Sequence, residues 1–578
     1  MSARLEAAAE ALLLLAIVLG PWPYGSAADP ARYGLAALVL FAVALFALGR
    51  AIAAEGLPWL TFPAAALPAL ALVQMTVGAS TAPEWTAEAG LVLAAMLAAL
   101  VFWSDRAHDR AAAVRLAGAV LAVCAAEAVF GAVQWSLAPD RVYGHATPSV
   151  TTPFGSYVNH NHFAGLLEMG IVLAAAMTLG LARLRGGATP GAVGLAGLAF
   201  GLVAVQVSSR SRGGLVALAA GLLVAGGLWA YAASRRSGAR LRAAPLAAGI
   251  LVVLAFGLAV VPEGTRAHLA TILPGRPDSS GDYRLDVAHD TLRLWTAHPT
   301  LGAGLGAYGD AFPAFKTAHG EVRTTHAEDD ALELLAEGGL AGVVIVVWLA
   351  ALAARGLADR LRHGRDPFRK SIAVGAAGAV AALAVHSLFD FNLRLPANAL
   401  VFASLLGLAA SAREPGRRAG GRALPAAVAL ALAALGAASA WRAAGAVAFE
   451  RALRDADPQM QVAALDRLLG RHPYLAEAHR ARALAWRDLA IGRTGFAGPR
   501  LERAERDLGA ALRLRPAWGE AWADLGWTRW MRGDLAGARA AIDRALSLDR
   551  THPHIVEARE QLLARLDAAG TPGTDTPK

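Results

Sequence analysis

Thirteen apolar runs divide most of the sequence and leave few folds open to it. Each is about 20 residues long, the length that an α-helix needs to cross a hydrocarbon core of roughly 30 Å. Hydrophobic residues make up 56% of the 578 residues and charged residues only 17%. The runs lie near 5–21, 33–49, 58–77, 87–104, 112–135, 162–182, 190–208, 213–233, 243–262, 333–354, 371–390, 397–412 and 423–441. They predict an all-α fold, a polytopic membrane helix bundle of about thirteen transmembrane helices.

The basic residues between the runs predict the orientation of this bundle. With the amino terminus in the cytoplasm, the inside segments hold 21 arginine and lysine residues and the short outside segments hold five. Cytoplasmic loops carry such an excess, so we predict a multi-pass protein of the inner membrane with a cytoplasmic amino terminus. The formal charge of +9 lies in these short clusters, a pattern that argues against a nucleic-acid partner.

Two polar segments are predicted to lie outside the cytoplasm. We expect residues 1–442 to form the transmembrane domain, including an outer loop at 263–332, and 443–569 to form a periplasmic helical domain. Residues 570–578 are rich in Pro and Thr and predict a disordered tail. Six residues of the second segment have the spacing of a tetratricopeptide (TPR) helix–turn–helix, although a generic helical hairpin fits as well. They are Trp522, Leu525, Gly526, Ala538, Ile542 and Ala545.

Eight ionisable residues lie in or beside the apolar runs, where charge is costly and therefore indicates function. In the predicted topology all eight come to the outer face, and they are Glu127, Glu168, Arg210, Arg212, Glu333, Glu337, His386 and Asp390. Each also has a plainer interpretation. The two arginines can anchor the helix at the membrane interface, and Glu337, beside two glycines, can mark a helix bend. His386 and Asp390 are four residues apart and can pair with each other.

The stretch from Ser209 to Gly214 predicts an anion site. Arg210 and Arg212 lie where the eighth helix should begin, so backbone N–H groups, the positive end of the helix dipole and guanidinium groups would share one place. A phosphorylated ligand fits such a place. The glycine run at 302–306 has neither a preceding strand nor a Gly-Lys-Ser/Thr ending, so it is a weak candidate for a phosphate loop.

These residues resemble the bacterial O-antigen ligase and O-antigen polymerase group over roughly 140–410. The motifs are Asn159-His160-Asn161-His162-Phe163-Ala164 with Glu168, Ser211-Arg212-Gly213-Gly214, Arg284 with Trp295 and His298-Pro299, the run from Gly302 to Gly306, and His326 running into Leu335-Ala336-Glu337-Gly338-Gly339-Leu340. Their order, with a long outer loop before a late span, carries the resemblance.

The resemblance implies a membrane glycosyltransferase of the GT-C type, which moves a glycan from undecaprenyl diphosphate to an acceptor outside the cytoplasm. It implies that Arg212 and Arg284, with Arg210 beside them, hold the lipid diphosphate, and that a histidine near the end of the outer loop activates the acceptor. This chain departs from the family's His-x-His pattern because Glu328 follows His326 where a second histidine is common. The base therefore stays open between His326 and Glu328.

The same resemblance assigns supporting roles to four further residues, Asn159, His162, Glu168 and Glu337. We expect direct displacement with inversion, no cofactor and no metal, because arginines can stabilise the departing diphosphate. The acceptor is a lipid A core, a growing polysaccharide or a protein, the last making the chain a protein O-oligosaccharyltransferase. Two other classes stay open: a transporter or flippase, and a non-catalytic assembly protein whose TPR-like domain binds a protein partner.

Overall fold

The computed structural model of the chain describes residues 1–147, 152–237, 279–320, 322–411, 421–454, 456–491 and 497–570. Twelve of the thirteen predicted runs coincide with helices, and the ninth, 243–262, lies outside the described residues. The first eight helices are α1 Ser2–Leu19, α2 Asp29–Ala53, α3 Thr61–Thr76, α4 Pro83–Arg106, α5 Arg110–Leu137, α6 His160–Arg185, α7 Pro190–Ser208 and α8 Arg212–Ser237. A two-stranded hairpin, β1 Arg141–Val142 and β2 His145–Ala146, follows α5.

The second half of the chain adds the rest of the helices. They are α9 Ser279–Ala297, the short α10 Tyr308–Ala311, α11 Asp330–His363, α12 Pro367–His386, α13 Pro396–Ala410 and α14 Ala423–Ala452. Short 3-10 turns lie at Tyr24–Ser26, Phe312–Ala314 and Asn392–Arg394. The carboxy-terminal helices are α15 Pro458–Leu469, α16 Ala476–Ile491, α17 Ala497–Leu514, α18 Gly519–Met531, α19 Leu535–Leu548 and α20 Pro553–Gly570.

Nine of the described helices are long and apolar enough to cross a membrane: α2, α4, α5, α6, α7, α8, α11, α12 and α14. The apolar helices α3 and α13 are shorter, and α1 carries Arg4, Glu6 and Glu10. The prediction of an all-α polytopic membrane protein is confirmed. Local sequence explains where several of these helices begin: Asp366 accepts hydrogen bonds from the first turn of α12, and Pro367 fills its first position.

Buried ion pairs join the first helices at the end of the bundle away from the hairpin. Arg50 of α2 lies 3.2 Å from Asp105 of α4, and Glu10 of α1 lies 2.9 Å from Arg106. Arg50, Asp105 and Glu10 are all nearly inaccessible to solvent. Paired charges of this kind are tolerated within an apolar bundle because each satisfies the other.

Helix α11 is kinked where it meets the glycine run of the outer loop. Gly339 leaves the helical region (φ 59°, ψ −163°), as the predicted bend beside Glu337 requires. Gly302 has a φ of +76°, and a Cβ on it would lie 2.2 Å from the carbonyl oxygen of Glu337. Only glycine permits this backbone approach. The glycine run therefore packs the loop against the kink of α11.

The carboxy-terminal helices form their own apolar cores. The predicted helix–turn–helix is α18 and α19, and its core includes Ala538, Ile542 and Ala545 with Trp522 packed against them. Its identity as a TPR unit stays a prediction. The predicted domain boundary at 442 falls inside α14, which continues to Ala452, so a helix rather than a loop connects the two parts. The predicted tail lies outside the described residues from 571 onward.

Candidate active site

The candidate site lies where four helix ends meet. Helices α6, α8 and α11 begin there, and α12 ends there. The Asp330 N–H at the start of α11 donates to the Ser387 carbonyl just after α12 (2.8 Å). At the start of α8, a Cβ on Gly213 would lie 3.2 Å from the ring of His386, the last residue of α12. The convergence that the topology predicts is therefore present for these four ends.

His326, the first candidate base, is held by a buried carboxylate. Its Nδ1 lies 3.0 Å from Glu333 Oε1, and the Ala327 N–H donates to Glu333 Oε2 (2.8 Å). Burial alone would lower the pKa of His326, but the charge and the hydrogen bond of Glu333 outweigh it and hold the pKa above its usual value. Asp329 caps α11 by accepting from the N–H groups of Ala331 and Leu332. The cap and Glu333 together fix the loop that carries His326.

Arg394 connects the carboxylates around this histidine. Its Nε lies 3.0 Å from Glu333 Oε1 and its Nη2 lies 2.7 Å from Glu337 Oε2, with Asp330 at 3.8 Å. This role of Arg394 was not predicted from the sequence, where Arg394 is one of the five basic residues in the short outside segments. A signal was present, since Arg394 follows Asp390 at the same outer junction. The arginine lets three acidic side chains lie together without mutual repulsion.

A second histidine faces the first across Phe391. The ring of Phe391 stacks on His326 at 4.3 Å between centroids and meets His162 edge-on at 4.7 Å. His162 Nε2 lies 3.0 Å from Asp390 Oδ1. Burial opposes ionisation of Asp390, but His162 dominates and holds the pKa of Asp390 below its usual range. His162, predicted as a supporting residue, therefore lies one ring away from the candidate base.

The pairing of His386 with Asp390 that their spacing suggests is wrong. His386 Nδ1 instead lies 3.1 Å from Glu168 Oε2, and both side chains are buried. Helix α12 ends at His386, so Asp390 lies in the following turn and the helical i, i+4 relationship does not apply. Glu168 thus supports the end of α12 from within α6.

Glu328, the second candidate base, pairs with Arg284. The two side chains approach to 4.0 Å between Arg284 Nε and Glu328 Oε2. Burial raises the pKa of Glu328 to about 7, and the nearby charge of Asp390 adds to the increase, while Arg284 and His326 oppose it. Arg284 and His326 therefore act on the same carboxylate. The side chains of Arg284, His326 and Glu328 remain 34%, 32% and 25% exposed, so a ligand can reach all three.

The stretch predicted to bind an anion lies at the start of α8, and its role as an anion site stays a prediction. Helix α8 starts at Arg212, and Ser211 Oγ accepts from the Gly214 N–H (3.1 Å). Arg210 lies in the left-handed region (φ 65°), with its guanidinium 5.3 Å from the ring centre of Trp135. The contact between Gly213 and His386 brings the start of α8 to the end of α12.

Two supporting candidates have structural partners. The Asn159 side chain caps α6 by accepting from the Asn161 N–H (2.9 Å). Glu337 accepts from the Tyr308 N–H (3.0 Å) besides its contact with Arg394. Glu127, one of the eight ionisable residues, accepts a hydrogen bond from Ser156 Oγ (2.7 Å) and anchors the segment before α6.

Across the described ranges, no three His, Cys, Asp or Glu side chains are grouped to hold a metal ion, and the expectation of no metal stays a prediction.

The comparison with known families points to one segment of the chain. Residues 195–347 match the family model described as O-antigen ligase. This segment holds Arg210, Arg212, Arg284, His326 and Glu328, whereas His162, Asp390 and Arg394 lie outside it. No curated protein is similar enough to the chain to match it. The predicted resemblance to the O-antigen ligase family is therefore confirmed for residues 195–347.

Proposed function

We propose that this protein transfers a glycan from an undecaprenyl-diphosphate-linked donor to an acceptor hydroxyl at the periplasmic face of the bacterial inner membrane. Ligation or polymerisation of glycans is the reaction class of its family. One observation supports the proposed donor and mechanism: a histidine oriented by a buried carboxylate and the guanidinium of Arg284 both act on the same acidic side chain, Glu328, within the matched segment. Such a transfer needs a base that is held by an orienting partner and a cation that stabilises the departing diphosphate.

His326 is our choice for the base. With Nδ1 turned to Glu333, the opposite nitrogen, Nε2, is the one that takes the acceptor proton, and the carboxylate stabilises the imidazolium that forms. The raised pKa of His326 keeps the proton on the ring once it has been taken. Glu328 lies beside Arg284, and in the absence of donor it balances that charge.

The transfer itself needs one displacement. The acceptor oxygen bonds to the anomeric carbon while the bond from that carbon to the phosphate oxygen breaks, and its electron pair stays on the diphosphate. The acceptor proton passes to His326 and then to water. Arg284 and Arg212, with Arg210, would bind the diphosphate charge as it grows, because guanidinium forks match phosphate oxygens. A single displacement inverts the anomeric centre.

The supporting residues fit this scheme. Asp390 holds His162 against Phe391, and Phe391 holds the face of the His326 ring. Glu168 holds His386 against the start of α8. Both pairs would keep the base and the anion site in register while a large lipid donor binds.

The decisive experiment uses the purified full chain in sealed proteoliposomes with a labelled undecaprenyl-diphosphate glycan and EDTA. Lipid A core, polysaccharide and protein acceptors are offered separately, and the labelled product is measured. We expect transfer to one of these acceptors and an inverted anomeric linkage. Movement of donor between leaflets without any product would support the transporter instead, and neither result would support an assembly protein.

A protein acceptor is the second candidate, favoured by one observation. The carboxy-terminal helices contact the outer loop through Arg515 and Asp310, so a bound protein segment would lie on the side of the site. Transfer to protein but not to lipid A core would identify a protein O-oligosaccharyltransferase.

Orientation has its own test. In a Cys124→Ala background, which removes the buried native cysteine, Thr296→Cys and Ala188→Cys place single thiols at exposed positions. An impermeant maleimide should label Thr296→Cys in spheroplasts and Ala188→Cys only after lysis. The opposite pattern would reverse the proposed orientation.

A further inference from the structure

The carboxy-terminal helices are fastened to the outer loop by a buried ion pair. Arg515, just after α17, is 1% exposed. Its Nη2 lies 2.6 Å from Asp310 Oδ1 and its Nε lies 2.7 Å from Asp310 Oδ2. The rings of Trp518 and Trp85 cover the guanidinium at 3.9 and 4.9 Å. A two-pronged pair held between rings has a single geometry.

Asp310 belongs to the same network as the candidate base. It lies in α10, whose first residue, Tyr308, donates its N–H to Glu337 Oε1. Glu337 Oε2 contacts Arg394, and Arg394 contacts Glu333. Glu333 in turn holds His326. A short path therefore runs from Arg515 through Asp310 and the backbone of α10 to the polar contacts that hold the base.

A second set of contacts reaches the loop segment that leads into His326. A Cβ on Gly320 would lie 2.9 Å from the carbonyl oxygen of Thr551, in the loop before α20. Arg323 Nη1 lies 3.7 Å from Glu520 Oε1 of α18. On the other side, the Thr324 hydroxyl lies 3.0 Å from the Tyr283 hydroxyl of α9. The residues just before His326 are thus held between the carboxy-terminal helices and α9.

We propose that the carboxy-terminal domain positions the acceptor-activating histidine, with Arg515 as the positioning residue. This inference rests on the proposed function. Arg515 does not touch the reacting atoms; it fixes α10, and α10 fixes the carboxylates that orient His326. A displacement of this histidine by about 1 Å is enough to slow a proton transfer strongly.

Attachment of the domain can be separated from this role. The domain is also fixed to α4, where Glu84 accepts from the Ala476 N–H (3.0 Å) and Glu88 pairs with Arg442 of α14. Neither contact involves Asp310 or the residues just before His326. They should keep the domain in place when the pair of Arg515 and Asp310 is lost.

The test uses the full chain with Asp310→Asn and Arg515→Lys, the second keeping a positive charge beside Asp310. The matched control is Arg482→Lys, because Arg482 pairs with Asp507 (2.9 Å) inside the carboxy-terminal domain. Transfer is measured as kcat, donor KM and a pH–rate profile, and hydrogen exchange is measured for residues 322–330. We expect kcat to fall about ten-fold or more in Asp310→Asn with donor KM unchanged. The acidic limb should move to lower pH, and residues 322–330 should lose protection.

Arg515→Lys should give a smaller loss, and Arg482→Lys none. Unchanged kcat and unchanged hydrogen exchange in Asp310→Asn would overturn the inference. Transfer by the wild type would still support the proposed function in that case. Equal losses in Asp310→Asn and Arg482→Lys would also overturn it, because they would report general loosening. Should the wild type transfer nothing, the proposed function fails, and the exchange measurement still decides whether Arg515 orders the loop.

Discussion

His326 Nδ1 lies 3.0 Å from Glu333 Oε1, and the histidine is 32% exposed whereas the carboxylate is 1% exposed. The buried partner engages Nδ1 of the ring and leaves Nε2 as the nitrogen that can meet a ligand. It also couples the basicity of His326 to the charge of a residue that no ligand reaches. The consequences for activity can be measured.

Replacing Glu333 with Gln should lower kcat about ten- to a hundred-fold, because the ring loses its orienting charge. Rate rises with pH as a base loses its proton, and Glu333 holds the pKa of His326 above its usual value. Without that charge the pKa falls, so the acidic limb of the pH–rate profile should move to lower pH. A matched control is Asp286→Asn, which removes the carboxylate of the exposed pair with His319 in the same loop. If the acidic limb of the pH–rate profile stays at its wild-type pH in Glu333→Gln, the assignment of His326 as the base is contradicted.

Glu328→Gln distinguishes the two candidate bases. We expect it to retain most of kcat, whereas His326→Gln should lose about a hundred-fold or more. The pKa of Glu328 is raised to about 7, so a profile governed by this carboxylate would lose its acidic limb in Glu328→Gln. If Glu328→Gln loses both kcat and the acidic limb of the profile, Glu328 and not His326 is the base.

Apolar runs predicted the membrane helices because an α-helix needs about 20 mostly apolar residues to cross the hydrocarbon core. They also placed the start of α8 at Arg212. They did less well at helix ends. The run predicted to 441 continues as α14 to Ala452 because its last turns pack on the carboxy-terminal domain, where Gly445 contacts His472 and Tyr474.

The sequence did not predict which side chains pair with each other within the site. His386 was paired with Asp390 by spacing, yet it bonds to Glu168, 218 residues away. From the sequence, Arg394 counted only as a basic residue of an outside segment, whereas in the structure it contacts Glu333 and Glu337. Such pairings depend on which helix ends meet, and no periodicity within one segment reports that.

Arg284→Lys tests the diphosphate assignment. Lysine keeps the charge but loses the planar fork, so we expect kcat/KM for the lipid donor to fall about ten- to a hundred-fold. The control is Arg293→Lys, since Arg293 lies on the same helix α9 with its side chain 49% exposed. Equal effects of the two substitutions would show that α9 contributes only general positive charge.

Gly302→Ala should destabilise the membrane domain. The left-handed backbone at Gly302 and the clash of a Cβ with the backbone of Glu337 together should cost about 2 kcal/mol or more. Thermal unfolding in detergent measures this as a lower midpoint. Gly194→Ala is the control, because Gly194 lies within α7 with open space around it, and its midpoint should be unchanged or slightly higher. An unchanged midpoint in Gly302→Ala would contradict the close packing of the loop on α11.

Glycan transfer from the lipid diphosphate, with His326 as base and Arg284 as diphosphate ligand, is tested most directly by a single-turnover experiment with the full chain and labelled undecaprenyl-diphosphate glycan. Free undecaprenyl diphosphate and glycosylated acceptor are counted together. We predict one lipid diphosphate released for each glycan transferred, with both products lost in His326→Gln and Arg284→Ala proteins that keep their unfolding midpoints. Undiminished transfer by those two variants, or release of lipid diphosphate with the glycan passed only to water, would contradict it.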